Sequence, residues 1–167
     1  MQPENLKTFL DYFDKVHQRT IRVARCAPAD KLDWSPHEGA FTLGDLLRHV
    51  ATMKRHMFVE TYRGREYRYT GCGKEFGASY DEIMQLMETL QRESAEIIAA
   101  QADAGLTRKC TTPDGASITG WKWLRSMVEH EIHHRGQIYT YLAILGVPTP
   151  PLYGLTSEQV RDRSTAR

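Results

Sequence analysis

Three histidines within five residues are the part of this chain best suited to chemistry. His130, His133 and His134 lie in the middle of a stretch whose apolar spacing predicts one long helix. His130 and His134 are four residues apart, so they share one face of that helix, one turn apart. Two imidazoles placed in this way can hold one divalent metal ion, and H-E-x-x-H is a known zinc spacing. The spacing alone is a weak signal, because seven histidines scattered at random would give about 0.3 such pairs in a chain of this length.

A metal ion held by two histidines needs at least one further protein ligand. His134 is the last histidine of the chain, so the partner must precede this pair or be His133. His49 fits best, because it lies on the apolar face of another predicted helix, where an imidazole needs a buried partner. Three imidazoles would repel one another if charged and remain unsatisfied if merely packed together, and a metal ion resolves both problems. The sequence therefore predicts a metal site formed by His49, His130 and His134.

The other histidines fit this site less well. His56 is two helical turns from His49, about 11 Å along the axis, which is too far for both to bind one ion. His17 is near the apolar stripe of the first predicted helix and could line a pocket, and His37 is in a loop. His133 points about 100° away from its neighbour around the helix. We expect His56 at a pocket rim or on the surface.

The predicted ligand set is typical of a catalytic metal. Three neutral imidazoles leave the ion its full charge and at least one open position. Imidazole nitrogen suits zinc, nickel, iron and copper. We expect a divalent ion, zinc or nickel first, with iron or manganese as alternatives. Such an ion lowers the pKa of bound water and can hold a thiol as thiolate.

Four helical stretches must position these histidines. Apolar periodicity predicts helices at about 4–26, from Thr42, from Ser79, and from near Thr119 up to Gly146 as the C-terminal cap. Four amphipathic helices in one domain predict an all-α four-helix bundle. Each of the second and third helices begins with a capping-box pattern.

The connection between the second and third helices is unusually long. It covers about 17 residues, from Tyr62 to Ala78, and reaches about 56 Å when extended. A helix of about 20 residues is only about 30 Å long. We therefore expect a long crossover between helices 2 and 3, which would then run parallel.

The remaining segments are short. We expect residues 1–167 to form a single domain, with the tail 147–167 packed on the bundle and its last residues disordered. Pro113-Asp114-Gly115 is a turn signal, so residues 106–118 are expected to contain a small hairpin.

Composition excludes several classes of partner. Lys and Arg total 22 and Asp and Glu total 21, a net charge of +1. This balance is not that of a nucleic-acid-binding or membrane-surface protein. No apolar run of about 18 residues and no signal-peptide pattern is present. The three cysteines form no C-x-x-C, so we expect a reduced, cytoplasmic protein.

One enzyme class compatible with H-E-x-x-H is a zinc peptidase with Glu131 as general base. That reading needs a third ligand downstream. No histidine follows His134, and Glu158 is the one glutamate beyond it. Glu131 is then expected to face solvent or to support a ligand, and this hydrolase reading is the remote alternative.

A second reading comes from a resemblance. Five segments together resemble the DinB family, within the wider DinB/YfiT-like metalloenzyme superfamily. They are Trp34, Leu46–Val50, His130–Ile138, Tyr141–Gly146 and Pro150–Gly154. The resemblance covers nearly the whole chain, and H-x-x-x-H-R-G-Q with an upstream L-x-H-V is its most specific part.

The resemblance implies a four-helix bundle with a long crossover, a frequent homodimer, and metal ligands at His49, His130 and His134. Characterised relatives are thiol-dependent transferases or isomerases that use bacillithiol, mycothiol or glutathione. It therefore implies a small-molecule substrate and a low-molecular-weight thiol cosubstrate. Arg135 and Gln137 match the family motif, and Gln137 is expected to orient a ligand or substrate. The alternative is a non-catalytic module that binds a metal or a ligand.

Overall fold

Four long helices and one short terminal helix account for most of residues 3–165, which are the residues that this computed structural model describes. The helices are α1 (Leu6–Ala24), α2 (Leu43–Met53), α3 (Tyr80–Ala99), α4 (Gly120–Ile144) and α5 (Ser157–Thr165). A π-helical turn, Lys54–Val59, and a last α-helical turn, Glu60–Tyr62, continue α2 without a break. The shorter elements are 3-10 turns at Ala29–Lys31 and Lys74–Phe76, a one-turn helix at Ala104–Thr107, and strands β1 (Lys109–Thr111) and β2 (Ser117–Thr119).

The helix ends follow the predicted caps. Ser79 Oγ accepts a hydrogen bond from the Glu82 backbone at 3.3 Å, and the Glu82 carboxylate accepts one from the Ser79 backbone at 2.9 Å. These reciprocal bonds satisfy donors that the first turn leaves free, so the predicted capping box is confirmed. Thr42 caps α2 by accepting from the Asp45 backbone at 3.0 Å. Gly146 ends α4 with a positive φ of 70°, which glycine adopts without steric cost.

The chain between α2 and α3 joins two helices that point the same way. Arg48, in α2, donates to the Gly77 carbonyl just before α3 at 2.8 Å. Farther along, Arg55 donates to Glu93 at 3.1 Å. Because the partner numbers rise together, α2 and α3 are parallel. The predicted all-α bundle with a crossover between helices 2 and 3 is confirmed.

Two apolar clusters fill the two ends of the bundle. One contains the first half of α1, the end of α2 and the start of α4. The other contains the end of α1, the starts of α2 and α3, and the end of α4. Helix α1 therefore runs parallel to α4 and antiparallel to the other pair, in an up-down-down-up order.

Buried polar side chains lie where the two clusters meet, and we call them the polar belt. All four long helices contribute to it: its members include His17, Thr20, His49, Thr52, Lys54, Gln91, Glu131, His134 and Arg135. Buried polar groups are stable only when they find partners. The belt includes His49 and His134, two of the three residues predicted to bind a metal, and the half-buried His130 lies beside it.

The tail returns to the bundle through a few contacts. Arg22 donates to the Leu152 carbonyl at 3.0 Å, and Leu152 packs against the second cluster. Helix α5 has no buried residue. Disorder was predicted for the last residues of the tail. Two of these, 166 and 167, lie outside the described residues.

The predicted hairpin is formed by β1 and β2, which pair antiparallel. Among residues 3–165, no helix combines the length and the apolar character needed to cross a lipid bilayer.

Candidate metal centre

The structure brings together the three histidines predicted to bind a metal. Nε2 of His130 lies 3.2 Å from Nε2 of His49 and 3.1 Å from Nε2 of His134. The three nitrogens all lie within 4.8 Å of one another. His49 is 7% exposed and His134 9%. Helix α4 supplies two of the imidazoles from one face, and α2 supplies the third.

The donor set fits a divalent ion. Tetrahedral coordination at a metal–nitrogen distance of about 2.05 Å places two ligand nitrogens about 3.3 Å apart. The nearest nitrogen pairs here are within a few tenths of an ångström of that separation. Three convergent nitrogens that are not ligands would leave several lone pairs facing one another, which is unfavourable inside a protein. That these residues bind a metal stays a prediction.

Outer hydrogen bonds hold two of the three rings, and one of them sets a tautomer. Nδ1 of His134 lies 2.6 Å from the Gln137 side-chain oxygen, which can only accept, so Nδ1 carries the proton. The lone pair of its Nε2 is then free for a metal. Nδ1 of His49 lies 2.9 Å from the Tyr69 hydroxyl oxygen. Partners of this kind orient ligand histidines in many metal sites. Gln137 contacts His134 as its predicted role requires, and that role stays a prediction.

We expect Gln137→Ala to weaken metal binding about 10- to 100-fold, because His134 loses the group that fixes its ring and tautomer. Gln137→Glu is the matched control: it keeps an acceptor at the same place and is expected to retain the affinity. Competition titration with a chromophoric chelator measures both. An alanine variant that binds as tightly as the parent would contradict this role.

The three clustered imidazoles are poorly basic. Burial and the nearby His134 ring lower the pKa of His49 to about 4. Burial and the two other rings lower the pKa of His130 to about 3. Burial also lowers the pKa of His134. The rings of His49 and His130 are therefore neutral well below pH 7, and the lowered pKa of His134 favours its neutral form at pH 7.

This predicts a metal affinity that changes little with mild acid. With three ordinary histidines, whose pKa values are near 6.5, protonation at a pH of about 5.5 would lower the metal affinity about tenfold for each ring, or roughly 1000-fold in all. We expect the dissociation constant to change by less than about tenfold between pH 7 and pH 5.5, since protons compete only near the lowered pKa values. Equilibrium dialysis against buffered zinc at the two pH values tests this. A loss near 1000-fold would show that the rings titrate normally.

Glu131 does not face solvent, so that prediction is wrong. Its side chain is 1% exposed, and one carboxylate oxygen lies 2.8 Å from Lys54 Nζ while the other lies 3.5 Å from His17 Nδ1. Burial alone would raise the pKa of Glu131, but Lys54 and His17 outweigh it and hold that pKa far below its ordinary value. A carboxylate engaged in this way is a poor general base, which removes the main support of the peptidase reading.

Lys54 is a buried residue that the sequence analysis missed. It is 2% exposed, and besides Glu131 its ammonium donates to Gln91 at 2.7 Å and lies 3.3 Å from His17. A signal was present, because position 54 lies four residues after Val50, on the buried stripe of α2. Tyr69, in contrast, reaches His49 from the crossover, and no local pattern marks it.

The remaining histidines lie outside the cluster. His17 is buried in the polar belt, and His37 and His133 are exposed. His56 is half-buried, with its ring 6.0 Å from that of Phe76. His56 lines a cavity, as expected for a residue at a pocket rim, and His37 lies in a loop as predicted.

Arg135 and Gly136, which follow His134 in α4, lie outside the cluster of three histidines. Arg135 is 3% exposed and donates to the Val16 carbonyl of α1 at 3.3 Å. Gly136, the next residue, is not closely approached by another helix within residues 3–165. A Cβ atom at Gly136 would meet nothing within 4 Å, because the residue faces outward.

Aromatic rings surround the three histidines. The ring of Phe41, which is 41% exposed, lies 5.0 Å from that of His49. The buried ring of Phe58 lies 5.3 Å from that of His130. The centre is therefore close to the surface, with apolar walls on two sides.

Comparison with known proteins places this arrangement in a family. The sequence profile of the DinB superfamily matches residues 12–138. The chain belongs to the DinB superfamily. This DinB protein is 24% identical to YjoA of Bacillus subtilis (strain 168) over 137 residues, which are 80% of this chain and 86% of YjoA.

Solved structures share the fold of this DinB protein. A DinB-like protein of Bacillus cereus ATCC 10987 superposes with a TM-score of 0.77 at 18% identity, covering 90% of this chain and 99% of the other. YfiT of B. subtilis superposes with a TM-score of 0.70 at 16% identity, covering 89% and 91%. YfiT is described as a probable metal-dependent hydrolase with an unusual four-helix bundle topology. At these identities the likeness shows the fold alone.

Proposed function

We propose that this DinB protein is a metal-dependent enzyme that transfers a low-molecular-weight thiol to an electrophilic small molecule. His49, His130 and His134 are the proposed ligands of a zinc or nickel ion. The observation that carries the proposal is the convergence of three neutral imidazole nitrogens within 4.8 Å. A bound divalent ion with an open position would lower the pKa of a thiol or a water that it holds.

The groups around the histidines favour a thiol over water. Hydrolysis is usually assisted by a general base beside the nucleophile. Glu131 is held by Lys54 and His17 in the polar belt. Burial raises the pKa of Tyr69 to about 12, so its hydroxyl keeps its proton near pH 7. A thiol needs no such base, because it is acidic enough for a metal to hold it as thiolate.

The chain's own residues would act by positioning. Tyr69 and Gln137 hold two of the imidazole rings. Phe41 and Phe58 form apolar walls that limit water around the proposed thiolate. A thiolate with fewer water contacts is a stronger nucleophile, and apolar walls suit an apolar electrophile.

Turnover assays test the proposal. Metal-loaded protein would be given thiols and a chromogenic electrophile, with an activated ester as substrate for hydrolysis. We expect thiol transfer that is lost in His130→Ala and retained in His133→Ala, whose exposed imidazole is the matched control. Ester hydrolysis without thiol transfer would favour the activity described for YfiT. Bound metal without either turnover would leave the non-catalytic binding module.

We also propose that this protein forms a homodimer, as the resemblance to the family implies. Light scattering of the purified protein at several concentrations checks it, with a mass near twice 19.2 kDa expected.

A further inference from the structure

Four arginines line one cavity beside the crossover. Arg55 and Arg63 come from the end of α2, and Arg65 and Arg68 from the start of the crossover. The cavity has a volume of about 400 Å³, within the range of sites for small molecules. Glu60 and Glu66 are the two carboxylates on its walls, so the lining carries two more arginines than acids.

The two inner arginines are held in place. Glu60, 4% exposed, accepts hydrogen bonds from Arg55 and from Arg63, the latter through Nε at 2.8 Å and Nη2 at 2.6 Å. Burial would raise the pKa of Glu60, but these two guanidinium groups outweigh it and keep that pKa low. Arg55 also pairs with Glu93 at 3.1 Å, so two arginines of the inner wall face two carboxylates and their charges are largely balanced.

The two outer arginines, Arg65 and Arg68, are not paired with a carboxylate. Both side chains are exposed, and within residues 3–165 neither guanidinium group forms a hydrogen bond or ion pair with a side chain, Glu66 on the same lining included. Their backbones are fixed: the Arg65 amide donates to the Glu60 carbonyl at 2.9 Å, and the Arg68 amide donates to the His56 carbonyl at 2.8 Å. Two free guanidinium groups thus stand on a fixed backbone at the same cavity.

We infer that this cavity binds a small organic oxyanion, with Arg65 and Arg68 gripping its carboxylate or phosphate oxygens. Guanidinium groups match both oxyanions in a two-point manner. Phe76 and His56 offer flat walls to the carbon part of the ligand. Thr70 adds a hydroxyl on the same lining.

The cavity is a neighbour of the three histidines. Arg68 and Thr70 line it, while Tyr69 between them contacts His49. Successive side chains of an extended segment point to opposite sides, so this short segment separates the two sites. The cavity would anchor the acidic end of a substrate or thiol that extends around this segment to bring its reacting end to the histidines, a role that rests on the proposed function.

Calorimetric titration of the whole protein tests the binding directly. The probes are citrate, for carboxylates, and inorganic phosphate. We expect saturable binding of at least one probe, and the tighter of the two identifies the oxyanion. The single variants Arg65→Gln and Arg68→Gln are each expected to bind at least threefold more weakly, and the double variant at least tenfold. Arg92→Gln, which removes an exposed arginine of α3, is the matched control and should bind like the parent.

Two results would overturn the inference: no saturable binding of either probe, or an equal loss in Arg92→Gln, which would indicate net charge alone. Circular dichroism checks that the variants are folded.

The His130→Ala variant separates this inference from the proposed function. It lacks a proposed metal ligand and should still bind the probe. If it does while thiol transfer is absent in the parent, the cavity stands and the proposed function fails. If transfer is present, Arg68→Gln should raise KM for an acidic thiol and leave KM for its neutral ester unchanged. An equal rise in both KM values would contradict the anchoring role.

Discussion

Replacing His49, His130 or His134 by alanine is expected to abolish stoichiometric metal in the purified protein. Each ring supplies one of three converging nitrogens, and two imidazoles alone make a weak site. We expect the metal content per chain to fall from about one to below about 0.1 in each single variant. Elemental analysis after dialysis against a weak chelator measures it.

His133→Ala is the control for this experiment. His133 is adjacent to His134 in sequence but exposed, and it lies outside the cluster. It should keep the metal content of the parent. Unchanged metal in all three ligand variants would refute the site, and loss in His133→Ala as well would point to a different ligand set.

Breaking the buried ion pair is expected to produce the largest loss of stability. In Glu131→Gln the ammonium of Lys54 remains buried without its carboxylate partner. Removing one partner of a buried pair costs about 3–5 kcal/mol, because the other charge is left uncompensated. For a domain of this size this lowers the Tm by roughly 6–20 °C. Thermal unfolding of the metal-free protein measures the change without a contribution from metal binding.

Two controls accompany this variant. Glu129→Gln makes the same change two residues earlier, where the carboxylate is exposed and pairs with Arg125. It should change the free energy of unfolding by less than about 1 kcal/mol. Lys54→Met/Glu131→Leu removes both charges and should recover most of the loss, since apolar residues often replace a buried pair at little cost. A Glu131→Gln variant as stable as the parent would mean that Lys54 is not charged in the folded protein.

Local patterns were sufficient for the helices and for the three histidines. The Ser79 capping box and the terminal Gly146 depend on a few neighbouring residues, and the sequence shows them directly. The histidines were predictable because two share a helical turn and the third lies on an apolar face. The crossover was predictable from its extended reach of about 56 Å, which exceeds the length of about 30 Å of a 20-residue helix.

Contacts between distant segments were not predictable in the same way. Tyr69 meets His49 only because the crossover folds back along α2, and Arg48 helps to fix it there by donating to the Cys72 carbonyl at 2.7 Å. The sequence distance of 20 residues carries no period that would reveal this contact. The buried position of Glu131 was not predictable, because its partners Lys54 and His17 lie on other helices, far away in the sequence.

The polar belt also determines how far the helices can slide along one another. A shift of α4 by one turn, about 5.4 Å, would carry Glu131 away from Lys54 and leave a bare carboxylate among apolar side chains such as Phe13. An interior that was apolar throughout would penalise such a shift far less. The belt therefore fixes the position of α4 relative to α2 along the helix axis. In that position their histidine nitrogens converge before any ion is bound.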